Sequence, residues 1–421
     1  RVPLKVIIIN WRFNKMKVID GSVTAAKGFK AVGAAVGIKK DKKDLALIAS
    51  DIPCDAAGAF TTNVVKATSV LRNMKIMESG VKINGIAVNS GNANACTGED
   101  GVKANEKMAE CMAECMGVDK NTVLTASTGV IGAVFPIDTV EKGIKETFPK
   151  LGYGRNDALL AAEAIMTTDT YSKEVAVEFE LGGKLVKMGG MAKGSGMICP
   201  NMATMLSFIT TDANIDSAML NKALKEDIES TYNMVSVDGD TSTNDTVIVL
   251  ANGMAQNERI VCEGEDFNTF KEALHYINER LAKNLVRDGE GATKFIEVNV
   301  NGALTYDDAK TMAKSVVKSS LFKAAVFGED ANWGRVLCAM GYSGVKFNPE
   351  KVDIVFESDA GSILLMDNGT PIVFDEDKAK TILSEKEIKV NIKISEGSEK
   401  ATAWGCDLSY DYVRINGDYR S

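Results

Sequence analysis

The run Lys193-Gly194-Ser195-Gly196-Met197-Ile198-Cys199-Pro200-Asn201-Met202-Ala203-Thr204-Met205-Leu206-Ser207-Phe208 constrains this chain more than any other. A flexible, Gly-rich segment passes through Pro200 and stops at Ala203-Thr204. An apolar, strand-like stretch follows at once, so a buried strand has to begin at an unusual threonine. A threonine hydroxyl alone is a poor nucleophile and needs an adjacent base. Cutting the chain just before Thr204 supplies one, because the new α-amine lies next to its own Oγ. Such an amine has a pKa of about 7.7–8.0, against about 10.4 for lysine, so a useful fraction is neutral near neutral pH.

The chain has almost no histidine to provide another base: His275 is the only one. It sits among Phe267, Phe270, Leu274, Ile277, Leu281 and Leu285, which have helical spacing, and is expected at a helix surface or boundary. A Ser-His-Asp or Cys-His device would need this one residue, and no motif surrounds it. Histidine-rich zinc sites are excluded by the same count.

A length of 421 residues suggests roughly two or three structural units. The net charge of −8, with no basic stripe, argues against nucleic acid as a partner. No apolar run approaches the roughly 18 residues of a membrane span. The eight cysteines contain no Cys-x-x-Cys pair, and most are expected to be core thiols in a reducing cytoplasm. Residues 1–15 are read as an upstream extension or a mis-assigned start, and are left out of the expected fold. Val6-Ile7-Ile8-Ile9 is too short for a signal-peptide core, and Met16 precedes a cleaner start.

Short apolar strands alternate with amphipathic helices. Strands are expected at 45–48, 86–88, 123–125 and 205–211, with a hairpin turning at Gly182-Gly183 between Val175 and Leu185. Helices are expected at 101–116, capped by Asp100 and stopped by Gly117, and at 157–166, 216–230 and 266–287. Strands at 352–356 and 388–394 mark a more β-rich C-terminal part. The mixture is α/β or α+β.

The motif through Ala203-Thr204 resembles the self-cleaving threonine of the ornithine acetyltransferase family, also called glutamate N-acetyltransferase. The resemblance runs from about Met16 to Ser421. Segments 89–98, 127–132, 167–170, 238–246, 288–294, 328–335 and 415–421 fit the same family. It implies an αββα sandwich of the self-processing threonine-nucleophile type, with a smaller C-terminal α/β domain. Residues 16–203 become an α chain and 204–421 a β chain, of which 204–285 complete the core and 286–421 form the C-terminal domain. The two chains are expected to assemble as an α2β2 heterotetramer.

The resemblance also implies roles. Thr204 is the nucleophile, with its α-amine as base, and Ala203-Thr204 is the cleavage site. Thr128 and Gly129 form the oxyanion hole. Thr170, Lys193, Thr204, Glu290, Asn416 and the terminal Ser421 bind substrate. The expected reaction moves acetyl from N2-acetylornithine to glutamate in arginine biosynthesis, with no cofactor and no metal. Use of acetyl-CoA as a second donor is left open. Two alternatives stand beside this reading: a related self-processing aminopeptidase, and a non-enzymatic ligand-binding protein. The run Asp238-Gly239-Asp240-Thr241-Ser242-Thr243-Asn244 superficially resembles a calcium loop. Thr243 stands where the loop glycine belongs, so it is read as a hydrogen-bonded loop near the site. Gly289-Glu290-Gly291 lacks both the Walker A spacing and a full dinucleotide fingerprint.

Overall fold

The structure, a computed structural model, describes residues 16–199 and 205–418. Residues 1–15, the segment 200–204 with Ala203 and Thr204, and the terminal Ser421 lie outside the described residues.

Sixteen strands form two sheets among the described residues. The first holds β1 (Met16–Ile19), β2 (Phe29–Ala34), β3 (Leu45–Phe60), β4 (Ile83–Asn92), β5 (Val123–Val130), β6 (Lys173–Leu181), β7 (Lys184–Lys193) and β8 (Leu206–Thr211). The second holds β9 (Val235–Ser236), whereas β10 (Thr246–Ala251) returns to the first. The rest of the second sheet is β11 (Phe295–Ala303), β12 (Val352–Ser358), β13 (Gly361–Asp367), β14 (Thr370–Pro371), β15 (Glu387–Ile394) and β16 (Glu399–Cys406).

The first sheet runs β1-β6-β7-β8-β10-β3-β4-β5, with β2 also paired to β3. Strand β3 folds this sheet onto itself. Its first part, Leu45 to Ser50, pairs with β2 and its last part, Asp55 to Phe60, with β10. Asp51, Ile52 and Pro53 between them are exposed. Side chains alternate faces along a strand, and the core reads out the resulting layers. Ala46, Ile48, Ile86, Val88 and Leu124 face inward and meet Leu206, Phe208, Ile248 and Leu250 from the other half of the sheet. Their neighbours Leu45, Leu47, Ala87 and Val123 face outward, onto Met108 and Met112 of helix Gly98–Met116 and Ile144 of helix Ile137–Thr147. On the opposite side Val177, Phe179, Met188, Ile209 and Val249 pack on helices Ser217–Ile228 and Glu265–Arg287. The layering is helix, sheet, sheet, helix, the expected sandwich. The same outer core continues into the second sheet through Ile296, Val298, Ile354 and Val390.

Gly182 and Gly183 turn the β6–β7 hairpin with φ of 52° and 78°, a left-handed pair that glycine adopts without a Cβ penalty. Gly117 ends its helix in the left-handed conformation, as expected. The start of that helix differs from expectation. It begins at Gly98 with Thr97 at the N-cap position, and Asp100 lies inside the first turn beside Glu99. There the carboxylates complement the positive helix end. Cys54, Cys111, Cys199 and Cys406 are buried and Cys115 is half-buried, but Cys96, Cys262 and Cys338 are exposed. The core-thiol expectation was too broad for these three, because isolated cysteines carry no periodicity that reveals their face. His275 lies on helix Glu265–Arg287, with Nδ1 2.6 Å from Asp227 Oδ1. No helix among the described residues is long and apolar enough to cross a membrane.

Candidate active site

The folded sheet brings strand ends together around a cavity of about 90 Å3. Thr128 and Gly129 come from β5, Lys193 from the end of β7, Leu206 from the start of β8 and Met205 from just before it. The turn before β10 adds Ser242, Thr243, Asn244 and Asp245, while Glu290 and Asn416 enter from the C-terminal half.

Lys193 Nζ donates to Thr128 Oγ1 over 3.3 Å. With its oxygen accepting from lysine, the Thr128 hydroxyl retains its proton for another acceptor. Gly129 has φ of 130°, and a Cβ there would lie 2.3 Å from the Gly91 carbonyl carbon. The parallel β4–β5 contact therefore admits only glycine, which leaves the backbone open on the cavity side.

Lys193 is buried, and burial pushes its pKa below the ordinary lysine value. Asp169 opposes that shift and Lys173 adds to it. Asp169 is itself buried, which alone would raise its pKa, but the charges of Lys173 and Lys193 and the Gly194 N–H hold it at about 2. Lys173 Nζ donates to Asp169 Oδ1 at 2.7 Å and to Asp288 Oδ2 at 2.5 Å, with all three side chains almost fully buried. Asp169 also accepts the Gly194 N–H at 2.7 Å. This buried triad fixes the backbone immediately after Lys193.

Thr170 is exposed and does not line the cavity. Its N–H donates to Asp288 at 3.0 Å and its hydroxyl donates to the same carboxylate. Glu290, in contrast, is buried at the cavity and accepts from Asn416 Nδ2 at 2.7 Å. The glutamate packs so close to the Gly-rich loop that a Cβ on Gly196 would lie 2.2 Å from its carboxylate.

The loop leading to segment 200–204 is pinned from below. Asp238 accepts the N–H groups of Met197 at 2.6 Å and Ile198 at 2.8 Å. Thr241 Oγ1 donates to the Cys199 carbonyl at 2.9 Å, and the Thr246 N–H donates to the Met205 carbonyl at 2.9 Å. Both flanks of the segment are thus held. Asn244 Nδ2 donates to the carbonyls of Ala93 at 2.6 Å and Ser127 at 2.8 Å, which ties this loop to β5. The run 238–244 is a hydrogen-bonded loop at the site, as its sequence suggested. No group of three or more His, Cys, Asp or Glu side chains among the described residues is arranged to hold a metal ion.

Of the residues expected in the site, Thr128, Gly129, Lys193, Glu290 and Asn416 share the cavity. Sequence reasoning singled out neither Thr167, Thr168 and Asn244 in its lining nor the Asp169–Lys173–Asp288 triad. Their segments were visible as motifs, but nothing local distinguished one member from another.

The pattern of the ArgJ family matches residues 30–421. The arginine biosynthesis bifunctional protein ArgJ of Caldanaerobacter subterraneus is 51% identical over 406 residues, covering 96% of this chain and 100% of that protein. The crystal structure of arginine biosynthesis bifunctional protein ArgJ from Bacillus halodurans is 48% identical, with a TM-score of 0.49, and covers 51% of this chain and 100% of its own. Ornithine acetyltransferase of Mycobacterium tuberculosis, solved with ornithine, is 35% identical with a TM-score of 0.42, covering 45% of this chain and 99% of its own.

Proposed function

The chain belongs to the ArgJ family and is an acetyltransferase of arginine biosynthesis, and from that premise we propose how its residues divide the work. Thr204 Oγ attacks the carbonyl carbon of Ala203. The peptide C–N bond breaks as the ester C–O bond forms, and water then cleaves the ester. The products end at Ala203 and begin at Thr204, and they stay together, in the family's expected α2β2 assembly in the cytoplasm.

In turnover the freed α-amine takes the proton from Thr204 Oγ as the oxygen attacks the acetyl carbon of N2-acetylornithine. The C–N bond breaks, the proton passes to the leaving amine, and ornithine departs. The amine of glutamate then attacks the acetyl-threonine, giving N-acetylglutamate and restoring the hydroxyl. The Thr128 hydroxyl and the Gly129 amide stabilise the oxyanion in both halves. Lys193 pairs with a substrate carboxylate, whose charge favours the protonated lysine despite burial. Glu290, steadied by Asn416, meets a substrate ammonium. Thr170 serves by holding Asp288, and Ser421 completes the substrate contacts that the family resemblance implies. The cycle uses no cofactor or metal, and acetyl-CoA is a second acetyl donor to be tested.

One observation carries this reading. Gly196 and Met197 on one flank of segment 200–204 and Met205 and Leu206 on the other line the same cavity as Thr128, Gly129 and Lys193. Both described flanks of the proposed cleavage segment therefore border one cavity.

The test is mass spectrometry of the purified protein. Two fragments divided between Ala203 and Thr204 are expected, and one uncut chain for Thr204→Ala. Incubation with N2-acetylornithine alone should add one acetyl group to Thr204, and glutamate should discharge it. An uncut wild-type chain, or acetyl transfer only with both substrates present, would overturn the mechanism.

A further inference from the structure

Asn244 sits between the two parts of the active site that have to meet. It is 5% exposed, stands on the loop before β10 and lines the acetyl-transfer cavity. Every polar atom of its side chain is engaged. Nδ2 carries two hydrogens and donates to the Ala93 carbonyl at 2.6 Å and the Ser127 carbonyl at 2.8 Å. Oδ1 accepts the Thr243 hydroxyl at 2.5 Å. Two carbonyl oxygens converge on one group, so only a double donor satisfies both.

Each end of this link lies one residue from a reacting group. The Ser127 carbonyl belongs to the planar peptide unit whose nitrogen is that of Thr128. Fixing that oxygen therefore fixes the tilt of Thr128. On the other side, the Asn244 carbonyl accepts the Thr246 hydroxyl at 2.9 Å, and the Thr246 N–H donates to the Met205 carbonyl at 2.9 Å. Met205 directly follows Thr204 in the sequence. Ser127, Asn244, Thr246 and Met205 are all buried, so they form a dry route from the strand of the oxyanion hole to the flank of the nucleophile.

We propose that Asn244 is a positioning residue that sets the separation between the Thr204 hydroxyl and the Thr128–Gly129 oxyanion hole. The inference rests on the roles of Thr204 and Thr128 proposed above. Acyl transfer needs the attacking oxygen and the oxyanion donors arranged around one carbon, and a misplacement of about 1 Å can cost about a hundredfold in rate.

Asn244→Asp keeps the size and shape of the side chain and changes its donors. Ionised, it faces two carbonyl oxygens with no hydrogen to give them. Protonated, it has one O–H to donate. Burial and the facing carbonyls favour the protonated form. Asn244→Ala has no side-chain donor at any pH. Lys193, Asp245 and Glu290 line the same cavity, and Asp238 and Asp240 share the loop. Lys66 and Cys96 stand in the segments bonded to it, and the Thr204 amine titrates too. The wild type carries all of these groups, so the readout is the ratio of variant to wild-type rate at each pH.

Steady-state kinetics of transfer from N2-acetylornithine to glutamate, from about pH 5 to about pH 9, tests the proposal. At about pH 8 both variants should lose roughly tenfold to a hundredfold in kcat, with the KM for N2-acetylornithine within about twofold of wild type. The Asn244→Asp ratio should climb as pH falls, and the Asn244→Ala ratio should stay flat. A variant that remains uncut is scored on its rate of self-cleavage over the same range, with the same pattern expected. Where Asn244→Ala does not fold, the pH trend of Asn244→Asp alone decides. Near wild-type kcat in the variants, a loss confined to KM, or an Asn244→Asp ratio that is flat with pH would overturn the proposal. A wild type that never forms acetyl-Thr204 would sink the reading of the site itself. A competent wild type with any of those three results would sink this inference alone.

Discussion

The ammonium of Lys193 and the hydroxyl of Thr128, 65 positions apart in sequence, meet at 3.3 Å where the two halves of the first sheet converge. The lysine supplies a donor to the Thr128 oxygen in a buried setting, where such contacts count for more than in water. The Thr128 hydroxyl keeps its own proton for another acceptor.

Thr128→Ala should therefore lower kcat by roughly 10²–10³ in the processed enzyme, the range for removing one oxyanion donor. KM should change much less. Steady-state kinetics on protein already cut at Thr204 separates this effect from a failure of processing. A kcat close to wild type would remove Thr128 from the oxyanion site.

Gly196→Ala places a Cβ 2.2 Å from the Glu290 carboxylate. The carboxylate has to swing away, breaking its contact with Asn416 Nδ2. Losing a hydrogen bond to a charged group is worth about 1.5–3 kcal/mol, or roughly tenfold to a hundredfold in affinity. The KM for N2-acetylornithine should rise accordingly, with little change in Tm. An unchanged KM would mean that Glu290 does not bind the substrate.

Lys173→Met leaves two buried carboxylates, Asp169 and Asp288, without their shared cation. Breaking a buried ion pair from one side costs about 3–5 kcal/mol. The urea midpoint should fall by a corresponding amount, whereas Lys17→Met, which removes an exposed pair with Glu178, should shift it by less than about 1 kcal/mol.

The Asp169 carboxyl titrates near 2 in the folded protein, below its ordinary value of 3.8. A depressed acid stabilises the fold at pH above its unfolded value and loses that contribution as pH falls toward the folded one. Tm should thus drop more steeply between about pH 4 and 2 for the wild type than for Asp169→Asn. Parallel curves for the two proteins would show that Asp169 contributes nothing to acid stability.

His275 gives the opposite sign. Its hydrogen bond to Asp227 raises its pKa above 6.5, partly offset by burial. The stabilisation is complete below the unfolded value and fades as pH rises through the folded one. A wild-type Tm that falls from pH 6 to 9 relative to His275→Gln is expected, and thermal scans at these two pH values measure it.

How much of this could be read beforehand depended on the range of the interaction. Gly182-Gly183 was legible because a tight hairpin needs two left-handed residues and few residue types supply them. The outer helices were legible from spacing alone, as at Phe270, Leu274, Ile277 and Leu281. Thr128, Gly129, Lys193, Glu290 and Asn416 were found through motifs, and they do share one cavity. Lys173 was not legible. In an alternating strand it looks like any solvated lysine, and one of its two partners, Asp288, is 115 positions away. Thr170 was found through the same kind of motif, but its bracing contact to Asp288, 118 positions away, was not legible from it. The N-terminus of helix Gly98–Met116 was missed by a few residues because Asp100 suits both the cap and the first turn.

The strand order of the first sheet has a consequence for a chain cut at residue 204. Strands β1, β6 and β7 lie before the cut, β8 and β10 after it, and β3, β4 and β5 before it again. To this sheet the later polypeptide therefore contributes a two-strand insert clamped between two parts of the earlier one. Seams of backbone hydrogen bonds run along both sides, to β7 and to β3. Pulling the pieces apart would unzip two ladders and bare four sheet edges at once, so such a cut would end covalent continuity without creating subunits that can exchange. Fragments produced separately would have to fold around each other, not dock as finished halves.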